Sequence, residues 1–333
     1  MGKATIPPRH TMPIRRRCLP EGSTSRCGSP TPRFGRTRSA RTDRNSPSSR
    51  TSDGARETGV LAVRCAGMSD ATVNLTSLPA DLRTRLAGYT ATPVTTGESG
   101  GEVHRLSAPG RADCFLKLGR GSVSDDITHE MLRLTWLDGR LPVPRVLHFV
   151  RSDDHAALLS TALPGVAAAE WLAAHPERAA DALRSIAKFL RQLHALPVEH
   201  CPFEAGHVLR LAAARQRLAA GLVDEEDFDE ARAGMSAEAV WAEMQAMLPL
   251  SFERVVTHGD FSLDNIFLED GRVTGCLDVG RLGVADPYQD VAILWNNLSE
   301  LGAELQETWL SAYGMMPPDN ARLAFHCCLD EFF

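Results

Sequence analysis

The chain has 333 residues, of which 43% are hydrophobic and 23% are charged, and its formal net charge is −6. This composition fits one large or two modest globular domains with an apolar core, and it excludes collagen-like, fibrous and wholly disordered proteins. No run of about 18 apolar residues is present, so no membrane-spanning helix is expected. The eight cysteines include no C-x-x-C pair, so neither a disulfide framework nor a structural zinc site is predicted, and a reducing cytoplasm is the expected location.

Charge is distributed unevenly along the chain. Residues 1–67 contain 14 Lys and Arg against 4 Asp and Glu, whereas the other 266 residues contain 22 and 38. The first part is rich in Ser, Thr, Pro, Gly and Arg and lacks apolar periodicity, which predicts disorder. We interpret it as a basic leader that is not native, with Met68 as the natural start. A nucleic-acid-binding tail, an organellar transit peptide and a twin-arginine export signal are weaker interpretations. The Arg- and Ser-rich, acid-poor composition is only weak evidence for a transit peptide, and the absence of an apolar segment after the arginines argues against export.

Residues 68–163 are predicted to form a small sheet with one helix packed on it. A short helix is expected at residues 78–86, and β-branched runs bounded by Gly, Pro and Asp predict four strands. The strands cover residues 94–106, 114–118, 145–151 and 155–161. Between the second and third strands, apolar residues at helical spacing predict a helix over residues 124–137. Pro142 and Pro144 then require extended chain.

Residues 164–333 are predicted to be mainly helical, because apolar residues recur there at helical spacing. The predicted helices cover residues 168–174, 179–196, 208–221, 237–248, 289–298, 303–313 and 319–333. Two β-branched runs, at residues 254–268 and 272–280, interrupt this pattern. They are joined by Asp270 and Gly271, a pair that favours a hairpin turn.

The motif H-G-D-F-S-L-D-N around the first of these runs carries the chemistry. It places Asp260 five residues before Asn265, and Asp278 follows in L-D-V-G. Phosphoryl transfer needs a carboxylate beside the attacking hydroxyl and hard oxygen ligands for Mg²⁺, and these residues supply them in the order of a kinase catalytic loop. Gly280 is expected to let the backbone turn sharply after the metal ligand. Asp264 is predicted to be a solvated side chain.

A kinase-like site also needs a cation and backbone amides near the phosphates. Lys117 lies in a predicted strand, where a lysine is costly unless it is paired, and Glu130 on the following helix is the expected partner. The loop that contains Ser99, Gly100 and Gly101 offers backbone amides to an anion. Such glycine-rich turns are common, so this loop counts only together with the other motifs.

Three segments resemble the aminoglycoside 3'-phosphotransferase family over residues 78–333. They are THGDFSLDNIFLEDGRVTGCLDVGRLGVADPYQDVAILW, WLDGRLPVPRVLHF and the terminal LDEFF. The resemblance implies an α+β, protein-kinase-like two-lobe fold with ATP and Mg²⁺ in the cleft between the lobes. The small N-terminal antiparallel sheet lobe is then expected at residues 68–163, and the larger, mainly helical C-terminal lobe at residues 164–333.

The resemblance also implies a role for individual residues. Asp260 would orient or deprotonate the acceptor hydroxyl, and Asn265 and Asp278 would hold Mg²⁺. The nucleotide is assigned six residues: Lys117, Glu130, Ser99, Thr161, Leu163 and Arg281. Lys117 would contact the phosphates with Glu130 as its support, Ser99 would cap them, and Thr161 and Leu163 would contact adenine through backbone atoms. For Arg281, a phosphate contact and an ion pair that fixes the loop are equally supported, and Asp290 is interpreted as structural.

Acidic side chains are the expected receptors for a polycationic acceptor, because carboxylates pair with ammonium groups and accelerate encounter. The family's substrate-contacting positions fall on Asp227, Asp229, Glu230, Glu300, Asp330, Glu331 and the carboxylate of Phe333. Without the resemblance, the acidic run at residues 224–230 would be interpreted as a solvated helix face.

The function that these features imply is ATP-dependent phosphorylation of the 3'-hydroxyl of kanamycin- and neomycin-type aminoglycosides, and hence antibiotic resistance. A kinase of choline, homoserine, methylthioribose or a fructosamine is the alternative, and a non-catalytic nucleotide- or nucleic-acid-binding protein is a third possibility. Neither a membrane nor a specific nucleic-acid partner is expected. The sequence leaves open which aminoglycosides are accepted, the choice of ATP or GTP, and the oligomeric state.

Overall fold

The computed structural model describes residues 78–94, 101–229, 231–248 and 250–333. The predictions made for residues 1–67, Ser99 and Glu230 lie outside the described residues. The described residues belong to one compact unit, Thr58–Phe333. Across the described ranges, no helix has the length and apolar character needed to cross a membrane.

An antiparallel sheet of five strands forms the N-terminal part. Its elements are α1 (Ala80–Leu86), β1 (Thr90–Pro93), β2 (Glu102–Ser107), β3 (Cys114–Arg120), α2 (Ser122–Leu137), β4 (Val146–Arg151) and β5 (His155–Thr161). The strands lie in the order β1-β2-β3-β5-β4. The predicted sheet with one helix on it is confirmed, but β1 was not predicted. This strand has only four residues and ends in Pro93, which is tolerated because β1 lies at the edge of the sheet.

The C-terminal part is mainly helical, as expected. Its elements are β6 (Val166–Ala167), α3 (Ala168–Ala174), α4 (Ala179–His194), α5 (His207–Ala219), α6 (Ala237–Ala246), β7 (Val255–Thr257), β8 (Ile266–Glu269), β9 (Arg272–Cys276), β10 (Gly283–Ala285), α7 (Tyr288–Ser299), α8 (Ala303–Tyr313) and α9 (Asn320–Asp330). Each of the predicted helical segments overlaps one of the helices α3 to α9, with ends that differ by at most three residues. The strands form two small sheets, β6-β8-β9 and β10-β7.

The predicted hairpin turn is present between β8 and β9. Asp270 and Gly271 both have positive φ angles, of 51° and 76°. Two consecutive left-handed residues form the primed turn whose twist matches that of paired strands. The hairpin carries Asn265 directly before β8 and Asp278 shortly after β9, so a local turn signal brings two widely spaced motif residues to the same end of the hairpin.

Two clusters of buried hydrophobic side chains stabilise the C-terminal part. Leu183, Ile186 and Leu190 on α4 are fully buried in the main core, which continues beneath the HGD motif through Phe261. A second cluster packs α5 and α6 against α9 and includes Phe332, which has no exposed surface. Burying one such side chain stabilises a fold by about 1.5–3 kcal/mol. The end of the chain is therefore fixed in place beside α5.

Candidate active site

The HGD motif directly follows β7 and is folded back on itself. His258 is fully buried, its Nδ1 accepts a hydrogen bond from the Asp260 amide at 3.2 Å, and its Nε2 donates to the Leu277 carbonyl at 2.8 Å. A single neutral tautomer satisfies both contacts. The Asp260 carboxylate itself stays partly exposed, so it can meet a ligand while its backbone is held.

Gly259 is buried at the centre of this loop, with a φ of 86°. A Cβ placed on it would lie 2.5 Å from the carbonyl oxygen of Arg281. Both the backbone angle and the close approach require glycine at this position. Residue 259 thus sets how near the HGD loop lies to the segment after Asp278.

Asp290, at the start of α7, anchors the loop from below. Its fully buried carboxylate accepts hydrogen bonds from the amides of His258 at 2.7 Å and Gly259 at 2.8 Å. His194 of α4 contacts the same carboxylate at 2.9 Å and the Tyr313 hydroxyl at 2.6 Å. The structural role expected for Asp290 is therefore to hold the backbone of the HGD motif. The contributions of His194 and Tyr313 were not predicted.

Asn265 links the loop to the hairpin. Its side-chain amide nitrogen donates to the Asp260 carbonyl at 3.0 Å, and its own carbonyl accepts from the Leu277 amide at 2.8 Å. Since the side-chain nitrogen is used in this way, the side-chain oxygen remains as a hard ligand for a cation. Asp264, one residue earlier, is exposed, as predicted.

The sharp turn after β9 occurs at Asp278 and not at Gly280, which corrects the sequence analysis. Asp278 has φ 50° and ψ 46°, in the left-handed region. Gly280 lies in a short 3-10 turn without a positive φ, and a Cβ placed on it would have its nearest neighbour at 3.9 Å. Aspartate tolerates the left-handed conformation better than most residues, and such a conformation costs about 1–3 kcal/mol. Strain of this kind concentrates at functional sites.

Lys117 on β3 joins the two parts of the site. Its Nζ donates to both carboxylate oxygens of Glu130 on α2, each at 2.9 Å, and to Asp278. Burial lowers the pKa of Lys117, but the charges of Glu130 and Asp278 outweigh that effect and raise it above its usual value. Burial raises the pKa of Glu130, and Lys117 opposes this shift. The ammonium group is thus held charged at the mouth of the site.

Thr161 and Leu163 lie at the connection that leaves the five-stranded sheet. The Thr161 amide donates to the Arg145 carbonyl at 3.0 Å, and its hydroxyl accepts from the Arg145 amide at 2.9 Å. Any contact from Thr161 to adenine would therefore use its carbonyl. The Leu163 side chain packs over Gly275, because a Cβ placed on Gly275 would lie 2.9 Å from a Leu163 methyl carbon.

Arg281 lies beside the HGD loop. Its guanidinium is 3.9 Å from the Asp260 carboxylate and 5.6 Å from the ring centre of Phe333. The side chain is half exposed. Two roles were expected for Arg281. The ion pair with the loop is present as the contact with Asp260, and the half-exposed guanidinium is also accessible to an anion.

Two acidic residues at the end of the chain, Asp330 and Glu331, contact residues that are distant in sequence. The Asp229 amide donates to the Glu331 carboxylate at 3.3 Å, and the carboxylate of Asp330 contacts Arg210 at 3.3 Å. Arg210 also stacks on the Phe333 ring, 4.5 Å from its centre. A chain of contacts therefore runs from Asp260 through Arg281, Phe333 and Arg210 to Asp330.

The remaining predicted acceptor residues are placed differently. Asp227 and Glu300 are exposed, with Glu300 just after α7. The run at residues 224–229 is not a helix face: it forms turns, with Phe228 buried among helices α5, α6 and α9. Two arginines that hold the acids, Arg210 and Arg232, were missed. The only signal for Arg232 was its spacing, three residues after Asp229.

The Glu331 carboxyl keeps its proton up to an unusually high pH. Burial, together with the nearby charge of Asp229, raises its pKa from 4.5 to about 7. The folded protein thus binds this proton more tightly than the unfolded chain does, so the group's contribution to stability falls as the pH rises from about 4.5 to 7.

The variant Glu331→Gln, which cannot ionise, is expected to raise Tm at pH 8 by on the order of 2–4 °C, the shift that about 1 kcal/mol causes in a protein of this size. At pH 5 the difference should nearly disappear. Thermal unfolding of wild type and variant at both pH values measures it, with Asp227→Asn as the exposed control. A difference of equal size at pH 5 and pH 8 would contradict the expectation.

Across the described ranges, no three His, Cys, Asp or Glu side chains group together in a way that could hold a metal ion. A magnesium site built on one or two protein ligands would not form such a group, because Mg²⁺ is often bound by one or two carboxylates plus substrate phosphates. Asn265 supplies a free amide oxygen, and the Asp278 carboxylate is about half exposed. These donors fit a hard cation that is completed by phosphate oxygens.

Comparison with known proteins gives a consistent result. The profile of the phosphotransferase enzyme family matches residues 90–326. An aminoglycoside 3'-phosphotransferase of Escherichia coli is 47% identical over 257 residues, which cover 77% of this chain and 95% of that protein. One from Streptomyces fradiae is 38% identical over 253 residues, covering 72% of this chain and 94% of its own length.

Solved structures show the same similarity. A crystal structure of an aminoglycoside 3'-phosphotransferase of type VIII superposes with a TM-score of 0.68 at 35% identity, over 76% of this chain and 97% of that one. An aminoglycoside phosphotransferase from Streptomyces rimosus, in complex with ADP and streptomycin, gives 0.64 at 28% identity over 78% and 98%. The expected kinase-like α+β fold is confirmed.

Proposed function

The chain belongs to the phosphotransferase enzyme family, and we propose that it transfers the γ-phosphoryl group of ATP to the 3'-hydroxyl of kanamycin- and neomycin-type aminoglycosides. The observation that carries this proposal is the chain of contacts from Asp260 to Asp330, which sets a catalytic carboxylate beside an acidic cluster. Phosphorylation replaces a hydroxyl of the drug and reduces its positive charge, so the reaction confers resistance.

Asp260 acts on the acceptor hydroxyl. The hydroxyl oxygen forms a bond to the γ-phosphorus, the bond from that phosphorus to the β–γ bridging oxygen breaks, ADP leaves, and the hydroxyl proton passes to the Asp260 carboxylate. The contacts of His258 and Asn265 hold the Asp260 backbone before substrate arrives, and Asp290 holds the two preceding residues, His258 and Gly259. Such preorganisation avoids moving the base during the reaction.

Lys117, Asn265 and Asp278 serve the phosphates. Lys117, whose side chain is oriented by Glu130, contacts phosphate oxygens through its charged ammonium group. Asn265 and Asp278 would hold Mg²⁺, which supplies neutralisation of the charge on the phosphates. Ser99 is proposed to cap the phosphates through its amide, Arg281 to assist them, and the backbone of Thr161 and Leu163 to contact adenine.

The acceptor is held by negative charge. The proposed contacts are Asp227, Asp229, Glu230, Glu300, Asp330, Glu331 and the terminal carboxylate of Phe333. An aminoglycoside carries several ammonium groups, and a cluster of carboxylates both pairs with them and raises the encounter rate. A monoamine or a neutral sugar would leave most of these charges unpaired, which is costly in a partly buried site.

The test is coupled nucleotide turnover by the full chain with ATP and Mg²⁺. Kanamycin, neomycin and paromomycin are compared with choline, homoserine, methylthioribose and a fructosamine. We expect ADP release that depends on an aminoglycoside, with the phosphate located at the 3'-oxygen by NMR of the product. Turnover with a monoamine or a neutral sugar, and none with the three drugs, would overturn the proposal.

The residues before the catalytic unit are proposed to be dispensable, because the relatives match about 250 residues of this chain over more than 90% of their own length. Deleting residues 2–67 is expected to leave kcat and the KM for kanamycin unchanged. The same turnover assay measures this, and a large loss in the truncated protein would show that the basic segment takes part.

We propose the cytoplasm as the site of action, since it supplies ATP and keeps buried thiols such as Cys276 and Cys328 reduced.

A further inference from the structure

Arg232 is a buried cation that the proposed reaction does not use. Only 8% of its side chain is exposed, although arginine is seldom so buried unless it is paired. Its guanidinium lies 2.6 Å from the Asp229 carboxylate and 3.3 Å from that of Glu331. The same group approaches Glu243 at 3.7 Å and the sulfur of Cys328 at 3.2 Å.

These contacts join three separate elements. Asp229 belongs to the turns after α5, Glu243 to α6, and Glu331 follows α9 at the end of the chain. Arg232 is the cation at their junction, and the Asp229 amide closes the same junction through Glu331. Arg232 is therefore the one side chain that contacts the carboxylates of both Asp229 and Glu331 among the described contacts.

The charges at this junction do not cancel. Three carboxylates, those of Asp229, Glu243 and Glu331, face one guanidinium. Two carboxylates in contact repel each other, and without a cation one of them would take up a proton or move away. Arg232 opposes both effects, so the pair stays together, and once Glu331 ionises near its raised pKa of about 7 the pair carries negative charge for an incoming ammonium group.

We propose that Arg232 is a positioning residue for the acceptor, which holds Asp229 and Glu331 side by side as a single ammonium-binding site. This inference rests on the proposed function, because it concerns how the aminoglycoside is bound. Arg232 is placed behind the two acids and not in the catalytic loop, so it acts on drug binding and not on phosphoryl transfer.

The first experiment measures steady-state kinetics of Arg232→Gln. The KM for kanamycin is expected to rise by at least about 10-fold, as happens when one partner of a buried charge pair is removed, whereas kcat and the KM for ATP stay as in wild type. Arg232→Lys keeps a cation and should raise the drug KM by less than Arg232→Gln. A drug KM unchanged in Arg232→Gln would overturn the proposal. If that variant does not fold, Arg232→Met, which also removes the charge, replaces it, and an unchanged drug KM in Arg232→Met would overturn the proposal in the same way.

The pH dependence separates a positioning role from a general structural one. Around Glu331 the charged groups are Asp229 and Arg232, and Arg232 in turn faces Glu243 and Cys328. Loss of the guanidinium raises the pKa of Glu331 further, so the pH below which drug affinity declines should move upward in Arg232→Gln. Rescue of the wild-type profile in Arg232→Lys is expected. A profile that is the same in Arg232→Gln and wild type would overturn the inference.

Arg322→Gln is the matched control. Arg322 is also nearly buried and pairs with two acids, Asp286 at 2.5 Å and Glu253 at 3.1 Å, neither of which belongs to the acceptor cluster. The Arg322→Gln substitution should lower Tm without changing the KM for kanamycin. An equal rise in drug KM in Arg322→Gln would attribute the effect to lost stability and overturn the proposal. Failure of the proposed function is distinguished by the wild-type protein, which would then show no drug-dependent turnover.

Discussion

Replacing Asp260 with alanine is expected to lower kcat with kanamycin by about 10²–10⁴-fold, the range that a positioned general base contributes. The KM for ATP should stay close to that of wild type, because Lys117, Glu130 and Asp278 form their contacts without the Asp260 side chain. The Asp260 backbone, held by His258 and Asn265, should keep its position in the variant. Initial rates at saturating drug, together with ATP binding by calorimetry, measure both quantities.

Asp264→Ala is the matched control for that experiment. Asp264 lies in the same loop, carries the same charge and is exposed, so its removal should change kcat little. Comparable losses in both variants would mean that the loop's overall charge matters and that Asp260 has no special role. Asp260→Asn adds a further distinction: it keeps the shape of the side chain, and activity retained in this variant would assign Asp260 to orientation of the hydroxyl instead of proton removal.

The catalytic loop was the most predictable part of the site. Asp260 and Asn265 are five residues apart, and the Asp270-Gly271 turn returns the chain to Asp278, so local sequence alone determines their order and approximate neighbourhood. Lys117 and Glu130 are 13 residues apart and follow from a strand succeeded by a helix. Contacts of this kind are set by short-range structure, and a sequence motif can encode them.

The acceptor side was less predictable for a physical reason. Asp229 and Glu331 are 102 residues apart, and Arg210 and Asp330 are 120 apart. They meet only because α5, α6 and α9 pack through Phe325 and Phe332, which no local pattern specifies. The family resemblance supplied the acids but not the arginines behind them, and these determine how the acids are held.

The conformations of the two glycines near the motif aspartates were not predictable from the sequence. Gly259 precedes Asp260 and Gly280 lies two residues after Asp278, and the expectation of a sharp turn was attached to the wrong one. A positive φ depends on what the backbone must approach, here the carbonyl of Arg281, and the letter G alone does not reveal that. The left-handed residue, two positions before Gly280, is Asp278 itself, which a preference for glycine at such positions would not select.

Gly259→Ala is therefore expected to be the most damaging substitution outside the motif carboxylates. The alanine Cβ would meet the Arg281 carbonyl oxygen at 2.5 Å, so the HGD loop must move away from the Asp278 segment. A displacement of about 1 Å at a reacting group lowers a rate on the order of 10²-fold, and the left-handed angle adds about 1–2 kcal/mol of destabilisation. Both kcat and Tm should fall.

Gly280→Ala tests whether this loss comes from the collision or simply from adding a methyl group near the site. Gly280 has no positive φ, and its new Cβ would have its nearest neighbour, a Glu130 carbon, at 3.9 Å, an ordinary contact. This variant should retain most of its kcat and its Tm. If Gly259→Ala were as active as Gly280→Ala, the closeness of the HGD loop to Arg281 would not matter for catalysis, and the role of Asp290 in holding that loop would have to be one of stability alone.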